Sequence, residues 1–120
     1  MATEMIWTLL DETPIPADVQ ELLAPGEEAK VAFKTMRDTA IFTNKRLIMK
    51  DAQGLTGKKV EMYSLPYSSI QMWSSENSGK LLDMTAELEL WTKVGRIKIN
   101  VGRRLDIRAL DRMLSGFILG

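Results

Sequence analysis

The chain has 120 residues, with 16 Lys plus Arg balanced by 16 Asp plus Glu, so its net charge is zero. That length fits one domain with a single core, and the charge balance argues against a dedicated nucleic-acid binder. It has no Cys and no His, which removes disulfides, thiol nucleophiles, thiolate metal sites and the commonest general base and transition-metal ligand.

The chain opens on "MATEMIWTLLDE". This stretch has an acid at Glu4 and no basic run before its apolar patch, so it does not read as a signal peptide. No stretch approaches the roughly 18 apolar residues of a membrane span. A cytoplasmic protein is expected. Ile6, Leu9 and Leu10 share a face at helical spacing, and Trp7 lies beside them as a residue expected to dock against something. "TPIPADVQELLAPGEE" reads as a second helix, with Pro16 near its first turn, Val19, Leu22 and Leu23 as its stripe, and Pro25-Gly26 as its stop. Residues 1–28 are therefore expected to be a helical extension preceding a domain over 29–120.

From Ala29 the period changes to two. "KVAFKT" alternates Val31, Phe33 and Thr35 against Lys30, Ala32 and Lys34. "TAIFTNKRLIMKD" reads as a hairpin turning at Asn44-Lys45. That register pairs Phe42 with Leu47, Ile41 with Ile48 and Ala40 with Met49. Phe42, Leu47, Ala40 and Met49 make sense as core, which leaves Ile41 and Ile48 paired on the opposite face. Lys45 and Arg46 then form a hairpin corner, not a joint anion site.

Strands follow at "KKVEMYS" and "IQMWSSE", separated by Pro66, which cannot donate to a central ladder. "TAELELWT" and "RIKINV" complete the set, joined by a turn expected at Val94-Gly95, which would set Trp91 opposite Lys98 as a cation–π pair. The last segment, "LDIRALDRMLSGFILG", is an amphipathic helix. Asp106 is its N-cap, Leu105 and Leu110 have the spacing of a hydrophobic staple, and Ile107, Leu110, Met113, Leu114, Phe117 and Ile118 form the stripe. The fold class is mainly β: seven antiparallel strands in a partly open barrel capped by this helix, with short helices before it.

Five pieces occur in a specific order: "TNKRLI" (Thr43 to Ile48), "GLTGKKVE" (Gly54 to Glu61), "PYSSI" (Pro66 to Ile70), "ENSG" (Glu76 to Gly79) and "AELELW" (Ala86 to Trp91). Together they resemble the bacterial pleckstrin-homology domain family. The resemblance implies the PH-like superfold and a partner that is the same chain, in a ring-like homo-oligomer such as a pentamer. With no Cys, no His and no converging acids in the sequence, no enzymatic role and no cofactor are expected, and the leading reading is an interaction domain that scaffolds other proteins. The alternative function is a peripheral membrane adaptor that binds anionic lipid headgroups.

Candidate sites divide accordingly. Apolar or aromatic residues expected outside the core mark partner surfaces: Trp7, Ile41, Ile48, Tyr63, Trp73 and Trp91, with Lys98 beside Trp91. One patch is centred on Ile41 and Ile48 and a second on Trp91, as a head-to-tail ring requires. Either the N-terminal segment or a neighbouring subunit can cover the first patch. Weak anion-site candidates are Lys34 and Arg37 at the loop after the first strand, and Lys58 and Lys59 behind Gly54 and Gly57. Asp38 beside Arg37 opposes an anion, and a strand rather than a helix follows the glycines, unlike a phosphate-binding loop. Glu76, Asp83 and Glu87 match no calcium-loop spacing, so no metal site is assigned.

Overall fold

The computed structural model describes residues 3–53, 59–77 and 85–120. The strands are β1 (Thr3–Thr13), β2 (Ala29–Thr35), β3 (Asp38–Thr43), β4 (Arg46–Gln53), β5 (Lys59–Pro66), β6 (Ile70–Glu76), β7 (Thr85–Thr92) and β8 (Gly95–Gly102). The helices are α1 (Ala17–Gln20) and α2 (Ile107–Leu119), and a 3₁₀ turn covers Tyr67–Ser69. All strands belong to one eight-stranded sheet in the order β5-β4-β3-β2-β1-β8-β7-β6. Every neighbouring pair is antiparallel except β1 and β8, which are parallel. The sheet curls into a partly open barrel, with β5 and β6 at its two ends and α2 packed on β6, β7 and the 3₁₀ turn.

The strands expected from Ala29 onward are present as β2 to β8. The first stretch is not helical. Residues 3–13 form β1, inserted between β2 and β8. Met5, Trp7 and Leu9 sit opposite Ile97, Ile99 and Val101 and join the core, while Ile6 and Leu10 point outward and are exposed. Between Leu9 and Glu12 the register on β2 shifts, and the strand turns a corner of the barrel there. Gly102 ends β8 against that corner, where a Cβ would lie 3.0 Å from the Leu9 carbonyl oxygen.

The expected second helix shrinks to the single turn α1. Two features stop it. Pro25 has no N–H and disfavours helical geometry at Ala24. The Leu22 carbonyl, which a helix would bond internally, accepts instead from Arg46 Nη2 at 3.1 Å. Gly26 then adopts a φ of +80°, a left-handed conformation suited to glycine, and turns the chain into Glu27.

The β3–β4 hairpin has the expected register, with Ala40, Ile41 and Phe42 opposite Met49, Ile48 and Leu47. The inward set joins the main core with Leu88, Leu90, Ile97, Ile99 and Val101 from the far side of the barrel. Helix α2 closes that core with the expected stripe: Ile107, Leu110 and Leu114 are buried, and Met113, Phe117 and Ile118 pack against it. Asp106 caps the helix, its Oδ1 accepting from Arg108 N at 3.0 Å and Ala109 N at 3.1 Å. Phe117 stacks on Tyr67 at a centroid distance of 5.4 Å, and Tyr67 donates to the Thr43 carbonyl at 2.8 Å.

Candidate interaction surfaces

Ile41 and Ile48 do pair on the outer face, yet both are fully buried. The connection between β1 and β2 folds over them. Val19 is fully buried in a second apolar cluster with Ala32, Ile41 and Ile48, and Ile15 and Leu23 pack against it. The first expected patch is therefore corrected: this chain covers it with its own N-terminal segment, and neither isoleucine is a surface residue.

A polar clasp holds the segment down. Glu27 is buried, and its carboxylate accepts from Arg46 Nε at 2.9 Å and Nη2 at 3.1 Å. Thr43 Oγ1 donates to Glu27 Oε2 at 2.7 Å, and Ala24 N donates to Oε1 at 2.9 Å. Arg46 also reaches Ser64 Oγ at 3.0 Å. Burial alone would raise the Glu27 pKa. The hydrogen bonds from Arg46, Ala24 and Thr43 outweigh it and hold the carboxyl at about 2, below its usual 4.5. Arg46 thus serves an internal carboxylate, while Lys45 stays exposed at the corner.

The cations of the next loop are also answered from within. Arg37 Nε lies 2.6 Å from Asp51 Oδ1. Lys50 Nζ lies 3.0 Å from Asp18 Oδ2 and 4.0 Å from Asp38 Oδ2. Arg37, Lys50 and Asp51 border a cleft of about 230 Å³ whose other walls include Ile6, Trp7 and Met36. Lys34 is exposed on β2, and Lys59 is exposed opposite Gln53 at the start of β5. The structure does not gather Lys34, Arg37 and Lys59 into one cradle. Lys58 and the Gly54 and Gly57 turn lie outside the described residues, as does Asp83. Glu76 does face Glu87 across β6 and β7, but Lys98 Nζ lies 3.8 Å from Glu87 Oε2. Among the described residues no group of three or more acidic side chains converges on one point.

Three expected partner residues turn toward their own core. Trp7 is half-buried opposite Ile99. Tyr63 packs at the core edge opposite Met49 and donates to Glu61 Oε1 at 2.7 Å, a bond that raises its pKa. Trp73 faces inward opposite Leu90, and its Nε1 donates to Asp111 Oδ1 at 2.9 Å. Ser75 Oγ also donates to Asp111, which ties β6 to α2. Its bonds from Ser75 first, and then Trp73 and Ser115, depress the Asp111 pKa against the opposing effect of burial.

Trp91 remains on the outer face, as its alternation requires. The turn beside it is Lys93-Val94, one residue earlier than expected, so Trp91 opposes Arg96 and Lys98 opposes Glu89. The expected Trp91–Lys98 pairing is corrected accordingly. Thr92 sets this turn: its hydroxyl donates to the Gly95 carbonyl at 2.7 Å and accepts from Val94 N at 3.2 Å. Trp91 also stands directly opposite Met72, which is 54% exposed. The register shift between Ile70 and Met72 sends Met72 out and Trp73 in.

Residues 4–118 match the bacterial PH domain family, and the chain belongs to that family. It is 43% identical over 82 residues to the uncharacterized protein YjqA of Bacillus subtilis, a match covering 68% of this chain and 65% of that protein. It is 28% identical over 97 residues to the uncharacterized protein YozO of the same organism, covering 81% and 83%. A crystal structure of a DUF1696 family protein with a pleckstrin-homology domain, from Shewanella loihica, is similar with a TM-score of 0.79 at 33% identity, covering 90% of this chain and 96% of the other. A pleckstrin-homology domain from Shewanella amazonensis gives 0.68 at 37% identity, covering 87% and 85%. The match from residue 4 includes β1, in keeping with its place inside the sheet. Among the described residues no helix is long and apolar enough to cross a membrane.

Proposed function

We propose that this chain is a non-enzymatic interaction domain that assembles with copies of itself into a ring-like homo-oligomer and serves as a scaffold. The observation that carries this reading is the outer face formed by β6, β7, β8 and β1. There Met72 pairs with Trp91, and Ile6, next to Lys98, is 60% exposed. Apolar side chains grouped on a face that should be wet mark partner surfaces. The contrast within the molecule adds support: the other apolar outer face already has a cover in cis, and this one has none among the described residues. Ion pairs on β7 and β8 lie between Ile6 and the Met72–Trp91 pair, Arg96 with Glu89 at 3.3 Å and Lys98 with Glu87 at 3.8 Å.

The lipid-adaptor alternative finds less support. Phosphate headgroups call for several available cations, and Arg37 and Lys50 are already paired with Asp51, Asp18 and Asp38. Light scattering of the full chain tests the proposal. Assembly gives a mass well above 13.6 kDa, and a uniform monomer at micromolar concentration contradicts it.

A further inference from the structure

Two surface features lie at opposite ends of β8. At its start is the Lys93-Val94 turn, where Val94 is 68% exposed. Past its end is a groove of about 360 Å³ between β1, β2 and the first turns of α2. Its floor is apolar, made by Val31, Phe33, Leu110 and Met113, and Glu12 stands on its rim. Eight strand residues separate the two, or roughly 26 Å at about 3.3 Å per residue. One chain cannot bring them together.

Their charges are complementary. Among the described residues, neither the Glu12 nor the Lys93 side chain takes part in a hydrogen bond or ion pair. The other charged groups on the rim are engaged: Asp106 caps α2, and Arg104 lies 3.7 Å from Asp11. The groove therefore offers an apolar floor and one unmatched acid. The turn offers one exposed apolar side chain and one unmatched base.

We propose that the Lys93-Val94 turn of one copy seats in the groove of a second copy, with Val94 on the apolar floor and Lys93 against Glu12. This rests on the self-assembly reading and assigns it two contact sites. A turn alone is small against the roughly 1,000 Å² of a specific interface. Trp91, at the end of the strand entering the turn, and Met72 opposite it widen the contact on the same side. The two sites differ, so the contact is heterologous. It repeats head to tail and closes into a ring where the rotation allows.

Full-length variants test this by light scattering. Val94→Asp spoils the turn and leaves the groove intact. Ala109→Trp fills the groove from its exposed wall on α2 and leaves the turn intact. Each variant alone is expected at the 13.6 kDa monomer mass. An equal mixture contains one good turn and one good groove, so it is expected to form a species of twice that mass and no larger. Lys93→Glu and Glu12→Lys make a second pair that leaves the core untouched: each should weaken assembly, and both in one chain should restore it. A wild-type monomer overturns the self-assembly reading and this docking with it. A wild type that assembles, with variants that assemble equally or a mixture that gives no dimer, overturns the docking alone.

Discussion

Glu27 and Arg46 stand nineteen residues apart in the chain and meet through two hydrogen bonds, at 2.9 and 3.1 Å. The contact joins the end of the N-terminal segment to the corner of the β3–β4 hairpin. It helps hold that segment against the outer face of β3 and β4. With the clasp closed, Val19, Ile15 and Leu23 cover Ile41 and Ile48. Among the described residues, an apolar pair that stays uncovered on the outer face is Met72 with Trp91.

Breaking the clasp from one side should be costly. Arg46→Ala leaves the Glu27 carboxylate buried with only Thr43 and Ala24 as donors. A buried charge that loses its partner costs about 3–5 kcal/mol. Urea unfolding should show a loss at the lower end of that range, because Arg46 is partly exposed. Glu27→Gln should cost less, because the neutral amide needs less compensation. A loss below about 0.5 kcal/mol for Arg46→Ala would show that the clasp contributes nothing.

Acid should weaken the same contact. The hydrogen bonds from Arg46, Ala24 and Thr43 hold the folded Glu27 carboxyl at about 2, below its usual 4.5. A depressed folded pKa means the unfolded chain binds the proton more readily. Its stabilising contribution is therefore complete above pH 4.5 and declines as the pH falls toward 2. Linkage puts that contribution at roughly 3 kcal/mol. Urea midpoints measured from pH 6 to pH 2.5 should fall, and should fall less steeply for Glu27→Gln. Parallel slopes would mean that Glu27 is not the group responsible.

Asp111 should hold α2 to the barrel. It accepts from Trp73 Nε1 and Ser75 Oγ on β6, and α2 supplies Leu110 and Leu114 to the core. Asp111→Ala leaves the half-buried indole N–H without its acceptor, at a cost of about 1–3 kcal/mol. The expected readouts are a lower urea midpoint and a red shift of tryptophan emission. An unchanged spectrum together with unchanged stability would contradict the role.

Most of the barrel was legible in the sequence, because its strands carry period two and its turns carry turn chemistry. The β3–β4 register followed from Asn44-Lys45, and the stripe and cap of α2 followed from Asp106 and helical spacing. β1 was misread for a physical reason. Ile6, Leu9 and Leu10 have helical spacing, and the partners that make the stretch a strand, Ile97, Ile99 and Val101, lie some ninety residues away. Long-range parallel pairing leaves no local signal. The site was less legible than the fold. Alternation put Trp91 outside correctly, but a half-buried aromatic looks the same in sequence whether it faces a partner or its own barrel, as Trp7 and Trp73 do. Glu27 was not singled out, because one acid in a polar loop carries no sign of its distant guanidinium.

Acidic vesicles supply a further check. Because Arg37 and Lys50 are engaged by acids of the same chain, the protein should not co-sediment with phosphatidylserine-rich vesicles at about 0.15 M salt, and lower salt should change little. Strong, salt-sensitive binding that Arg37→Ala abolishes would favour the lipid reading instead.

The mass of the full chain in solution tests the central claim most directly. Light scattering at micromolar concentration should give a discrete species several times 13.6 kDa, and Met72→Ser or Trp91→Ser should reduce it. A single 13.6 kDa species across that range, with the protein folded, would contradict the account.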